Sequence, residues 1–175
     1  MRTGIVALLA AGCLLAADSH APAQFSMQRL GAPPVSFAHY RGRILAAAFI
    51  STMCPHCQNL TRILVPLSRE YTPRGVQFLE CAFNEDAQQT MKDFIERFAP
   101  PFPVGWNSPA AVRVYLHYSI LDPNLFVPHM QFLDRAGILR ADIPGEAPFF
   151  LKPEENIRAE LEKLLHPGAR TAAKR

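Results

Sequence analysis

The stretch ILAAAFISTMCPHC, residues 44–57, decides how this chain folds. Its first seven residues are apolar without interruption, the pattern of a strand buried on both faces of a sheet. Three consecutive alanines would by their own propensity prefer a helix. The run is short, however, and breaks off at Ser51 and Thr52, so a strand is the better reading. Beyond Cys57 the apolar residues Leu60, Ile63, Leu64, Leu67 and Tyr71 recur at helical spacing until Pro73 and Gly75. This predicts an amphipathic helix, bent at Pro66. Cys54 and Cys57 therefore stand where a buried strand hands over to a helix. That placement leaves three chemistries open: half of a metal site, an inert crosslink, or a working dithiol.

Downstream, residues 76–83 read as a second strand, and a helix opening at Asn84 or Glu85 carries Met91, Phe94, Ile95 and Phe98 on one face. Strand, helix and strand in this order imply a right-handed parallel crossover. A proline-rich loop at 100–103 and a short helix over 109–118 lead to Phe126-Val127-Pro128. Residues 130–133 and 138–142 flank Asp134-Arg135-Ala136-Gly137, which predicts an antiparallel hairpin with Gly137 at positive φ. A last helix, from Pro153, turns Ile157, Leu161, Leu164 and Leu165 inward. The sequence shows no internal repeat and no second domain.

With 175 residues, 49% of them hydrophobic and 19% charged, the chain has material for one core, assigned to residues 24–166. The net charge is only +3, and the basic residues concentrate at Arg170, Lys174 and Arg175. These lie in a tail, 167–175, that reads as disordered, so nothing resembles a nucleic-acid surface. At the other end, Arg2 precedes an apolar stretch over 5–17 that is too short to span a bilayer, and Ala21-Pro22-Ala23 offers a cleavage site before Gln24. Residues 1–23 are thus expected to be a signal peptide. Export to the periplasm follows, with no transmembrane segment after cleavage. Ala10-Ala11-Gly12-Cys13 loosely resembles a lipobox, in which Cys13 would carry a lipid anchor.

An oxidising compartment lets a nearby cysteine pair cycle as a disulfide. Without Cys13 the chain keeps Cys54, Cys57 and Cys81, an odd number unsuited to a disulfide-stapled scaffold. Free N–H groups in the first helical turn point at the Cys54 sulfur and stabilise its thiolate, the nucleophilic form. Pro55 has no N–H to waste there, and a protonated His56 would acidify Cys54 further. Cys57, one turn on, can close a ring with Cys54 or resolve a mixed disulfide. A zinc or copper site would need Cys81, His117 or His129 to complete it, and structural zinc sites usually show a second paired knuckle that this sequence lacks. An inert disulfide across so tight a loop removes little chain entropy. The redox dithiol is the favoured reading, with no metal or cofactor expected, and Cys81 reads as a buried small hydrophobe.

These residues resemble the thioredoxin superfamily over nearly the whole mature chain, most of all the exported thiol-disulfide oxidoreductases of the TlpA/ResA type, or redoxins. Gly31-Ala32-Pro33, the first core strand, Cys-x-x-Cys, helix, strand, helix, Phe102-Pro103-Val104 and a proline before the hairpin follow a similar order. The resemblance implies a thioredoxin-like α/β fold, a central mixed sheet flanked by helices, with Cys54 and Cys57 as the catalytic pair. It further implies that Pro128, preceded by Val127, is cis and packs beside the active-site sulfurs, which Pro55 and His56 would modulate. Substrates would be exported proteins with cysteines, and a further redox partner would recharge the dithiol. Two departures stand out. Leu60 occupies the place of the glutamate that follows the TlpA-type motif, and Ala48 that of the buried aspartate that serves thioredoxin's resolving thiol as proton acceptor. No carboxylate from that strand can deprotonate Cys57. Cys-Pro-His-Cys is similar instead to the tetrapeptide of the disulfide-donating oxidase DsbA, which moves the expected couple toward the oxidising side. Two alternatives share the architecture: a Sco-like copper chaperone with His129 as a ligand, although the cysteine spacing is one residue short, and a thiol peroxidase with Ser51 ahead of Cys54, although Ala47 replaces its proline.

Overall fold

The computed structural model describes residues 24–119 and 125–168. The expected signal peptide, 1–23, with Cys13, and the tail residues Arg170, Lys174 and Arg175, lie outside the described residues. In chain order the elements are β1 (Ser26–Arg29), β2 (Ala32–Ser36), β3 (Ile44–Ile50), α1 (Pro55–Tyr71), β4 (Val76–Ala82), α2 (Ala87–Phe98), β5 (Val104–Trp106), α3 (Pro109–Tyr115), β6 (His129–Leu133), β7 (Leu139–Ile143) and α4 (Pro153–Leu165). The strands form one 7-stranded sheet in the order β2-β1-β5-β4-β3-β6-β7. β3, β4 and β5 are parallel, whereas β6 runs antiparallel to β3, and β1 to β5. This is the mixed sheet expected from the crossover and the hairpin, and Gly137 takes the positive φ that the turn requires.

Every residue of β3 is buried, which explains why its alanines do not form a helix. The strand is central, and its two faces support separate clusters. Ile44, Ala46, Ala48 and Ile50 pack with Cys57, Leu60 and Leu64 of α1, Met91 and Phe94 of α2, and Ile157 and Leu161 of α4. Leu45, Ala47 and Phe49 face the other way, toward Phe25, Phe37, Cys81 and Val112. Small side chains let helices approach one face while the rings of Phe25, Phe37, Phe49 and Tyr115 fill the other, with centroids 4.4 to 6.3 Å apart. Burial thus overrides intrinsic propensity.

Several boundaries differ from the sequence reading. α2 begins at Ala87 rather than at Asn84 or Glu85, because residues 84–86 form a turn closed by the Ala87 N–H on the Asn84 carbonyl at 2.9 Å. α3 stops at Tyr115, ahead of His117, whose φ of 60° cannot continue a helix. Pro66 lies inside α1 on its exposed side. The hairpin β1–β2 and the short strand β5 are additions to the sequence reading. β2 contains Pro33 and Pro34, and the structure accommodates them at the sheet edge, where missing N–H groups cost no ladder bond.

Candidate active site

Cys54 is the N-cap of α1, in extended backbone at φ −77° and ψ 121°, with Pro55 in the first turn. Its thiol is partly exposed, whereas Cys57 is fully buried against the inner cluster, and both are free thiols in this reduced form. The Cys54 thiol is acidified to about 5. The largest cause is the Cys57 S–H, which donates to the Cys54 sulfur; the backbone N–H groups of Cys57 and His56 follow, and the charge on His56 adds the least, while partial burial opposes them. Cys57 is pushed far upward by burial, by its hydrogen bond to Cys54 and by the negative charge of Cys54, against one N–H from Ser51 at 3.5 Å. One cysteine is held as a thiolate and its partner as a thiol.

The Val127–Pro128 bond is cis, as the resemblance implied, and the Val127 carbonyl lies 4.0 Å from the Cys54 sulfur. His56, Val127 and Pro128 line an open groove of about 380 Å³ together with Leu60, Phe126 and Phe150. Exposed Leu151 and Phe126 flank it, and exposed Met53 precedes Cys54 in the chain. Gly145 has a packing reason here: a side-chain carbon on it would collide with the Phe126 carbonyl oxygen, so only glycine lets these two groove-lining segments approach. Cys54, Cys57, His56, Val127 and Pro128 thus converge, with Pro55 shaping the helix start.

The residues named for the metal readings do not converge there. In the β3–β6 register Met130 pairs with Ala48 and His129 with Phe49, so His129 points to the sheet face opposite Cys57. It is buried there, with Nε2 2.7 Å from Asp142 Oδ1. Cys81 pairs with Phe49 from the other side and shares that opposite face, buried as expected, and exposed His117 lies near His129 and Asp142. No group of three histidine, cysteine or acidic residues suited to a metal occurs among the described residues. Ser51 has its hydroxyl turned to the Met53 N–H at 3.4 Å and its own N–H on Cys57.

One residue escaped the sequence reading. β3 has no carboxylate, but its neighbour β4 has Glu80, directly opposite Ala48 in register and completely buried. The Thr61 hydroxyl bridges Glu80 Oε1, at 2.8 Å, and the carbonyl of Cys57, at 3.1 Å. One hydroxyl proton cannot serve two acceptors. A protonated Glu80 that donates to Thr61, while Thr61 donates to Cys57, satisfies both. Burial raises Glu80 to about 8, which agrees with that arrangement, and Oε2 has no partner. The signal was present in VQFLECAF: a charged residue at the inward position between Phe78 and Ala82 of an apolar strand, where glutamate is rarely buried without a purpose.

No sequence-family model and no curated protein matches the chain. Solved structures do. The solution structure of a candidate thioredoxin from Neisseria meningitidis superposes with a TM-score of 0.67 at 20% identity, covering 87% of this chain and 93% of that one. A thioredoxin-family thiol:disulfide interchange protein from Chlorobium tepidum gives 0.63 at 22%, with 80% and 95% covered. A secreted Mycobacterium tuberculosis disulfide oxidoreductase homologous to E. coli DsbE gives 0.60 at 17%, with 79% and 97% covered. The chain has the thioredoxin-like fold, with a Cys-x-x-Cys pair at the helix start.

Proposed function

We propose that this chain is an exported thiol-disulfide oxidoreductase that exchanges electrons with cysteine-bearing proteins through Cys54 and Cys57. The observation that carries this reading is the unequal pair: an accessible thiolate at a helix start, hydrogen-bonded by a buried thiol, beside an open groove. In the oxidised protein a substrate thiolate attacks the Cys54 sulfur and expels Cys57, which takes a proton from Glu80, and the carboxylate left behind regains one from solvent. A second substrate thiolate then attacks the first substrate sulfur and releases Cys54 as thiolate. The substrate leaves as a disulfide, oxidised by two electrons, and the protein keeps the dithiol. In reverse, Glu80 first gives up its own proton to solvent and, as the carboxylate, accepts the Cys57 proton while Cys57 resolves the mixed disulfide. Glu80 is thus the proton acceptor that the sequence reading found missing at Ala48, supplied from the adjacent strand.

Stabilising the Cys54 thiolate favours the reduced form, which makes the disulfide the stronger oxidant. Equilibration of the purified protein with glutathione tests this: a potential above that of thioredoxin is expected, and one as low as thioredoxin's overturns the oxidising assignment. Loss of disulfide exchange in Cys54→Ser tests the function itself. Export rests on the N-terminal pattern, and the similar mycobacterial oxidoreductase is a secreted protein. The partner that recharges the dithiol would then work outside the cytoplasm.

A further inference from the structure

Cys54 is the last of the four residues, 51–54, that connect β3 to α1. Met53 points outward and Ser51 is half-buried, whereas the Thr52 side chain turns inward and is 3% exposed. Each polar group of Thr52 is engaged. Its N–H donates to Asn84 Oδ1 at 3.0 Å, and its hydroxyl accepts from Asn84 Nδ2 at 2.9 Å and pairs with the Thr90 hydroxyl at 2.7 Å. Its carbonyl accepts from Gln58 Nε2, in the first turn of α1, at 2.8 Å. Asn84 stands just beyond β4 and spends its second amide proton on Asp86 at 2.7 Å. An asparagine that opened α2 in the ordinary way would turn its side chain to its own helix. Here both ends of the amide reach across to Thr52, while its backbone carbonyl closes the turn ahead of α2.

The clasp governs what surrounds the sulfurs. With Thr52 fixed, the neighbouring Ser51 N–H is held on Cys57, and the Ser51 carbonyl accepts the Cys54 N–H at 3.2 Å. Gln58 ties the same connection to the helix start whose N–H groups face Cys54. We propose that Asn84 and Thr52 are positioning residues that hold Cys54 at the helix terminus, so that the reactivity of the dithiol depends on an amide clasp reaching it from beyond the neighbouring strand. This inference rests on the oxidoreductase reading and adds residues outside the Cys-x-x-Cys segment to it.

The test is the pH titration of thiolate ultraviolet absorbance in the reduced full chain, compared among wild type, Asn84→Ala, Thr52→Val and Thr52→Ser, with thermal unfolding alongside. Asn84→Ala and Thr52→Val are expected to raise the Cys54 midpoint by about one unit or more. Thr52→Ser, which keeps the hydroxyl, is expected to titrate like wild type, and the double variant Asn84→Ala with Thr52→Val should shift no further than the larger single one. A purely structural role would lower the melting temperature and leave the midpoint in place, which would overturn the proposal. Should Asn84→Ala fail to fold, the near-isosteric Thr52→Val against Thr52→Ser decides the matter alone. Wild type that exchanges disulfides while all variants titrate alike sinks this inference only; wild type with no disulfide exchange sinks the functional reading as well.

Discussion

At the scale of single residues, the acidity of Cys54 has ranked causes, and the ranking is testable. Cys57→Ala removes the S–H donor and should raise the Cys54 midpoint from about 5 by more than His56→Ala does, since the His56 charge contributes least. The thiolate titration of the two variants measures this directly. Glu80→Gln keeps a donor toward Thr61 but can accept no proton, so Cys57 should resolve mixed disulfides about tenfold or more slowly. Trapping the intermediate with a slow-leaving substrate would show it, and unchanged resolution would remove Glu80 from the mechanism. Cys54 and Cys57 were legible because local spacing and a strand-to-helix junction define them, and the groove residue Pro128 through the family resemblance. Glu80 and Asn84 were not, since what they do depends on a register between strands distant in the chain, which no local pattern encodes.

At the scale of elements, β3 was readable from its unbroken apolar run, and α1, α2 and α4 from their helical periodicity, because each buries a continuous face. The β1–β2 hairpin and β5 were not, being short and punctuated by Pro33, Pro34 and Pro103, whose placement only the sheet edge and its neighbours explain. Gly105 in β5 shows how tightly that region is built: a side-chain carbon there would collide with the Gln28 carbonyl oxygen. Gly105→Ala should therefore part β1 from β5 and cost about 1–3 kcal/mol, read as a lower urea midpoint. Gly145→Ala should act differently. It pushes on Phe126 beside the groove, so it should weaken exchange with a protein substrate more than with a small disulfide, which a comparison of the two rates would reveal.

For the whole molecule, the buried acid ties stability to pH. Folding raises Glu80 above its unfolded value, so its contribution is complete below about pH 4.5 and is lost as pH rises through about 8. Over that window the reduced protein should lose up to about 1.4 kcal/mol per unit, and Glu80→Gln should flatten the slope in urea unfolding at several pH values. The sheet itself has a social consequence. Its outermost strand on one side is β2, where Pro33 and Pro34 take away N–H donors that an incoming strand could have used. An extended polypeptide finds less to pair with along that flank than at the end of the molecule where the sulfurs lie, so the sheet edge resists being extended by a second chain.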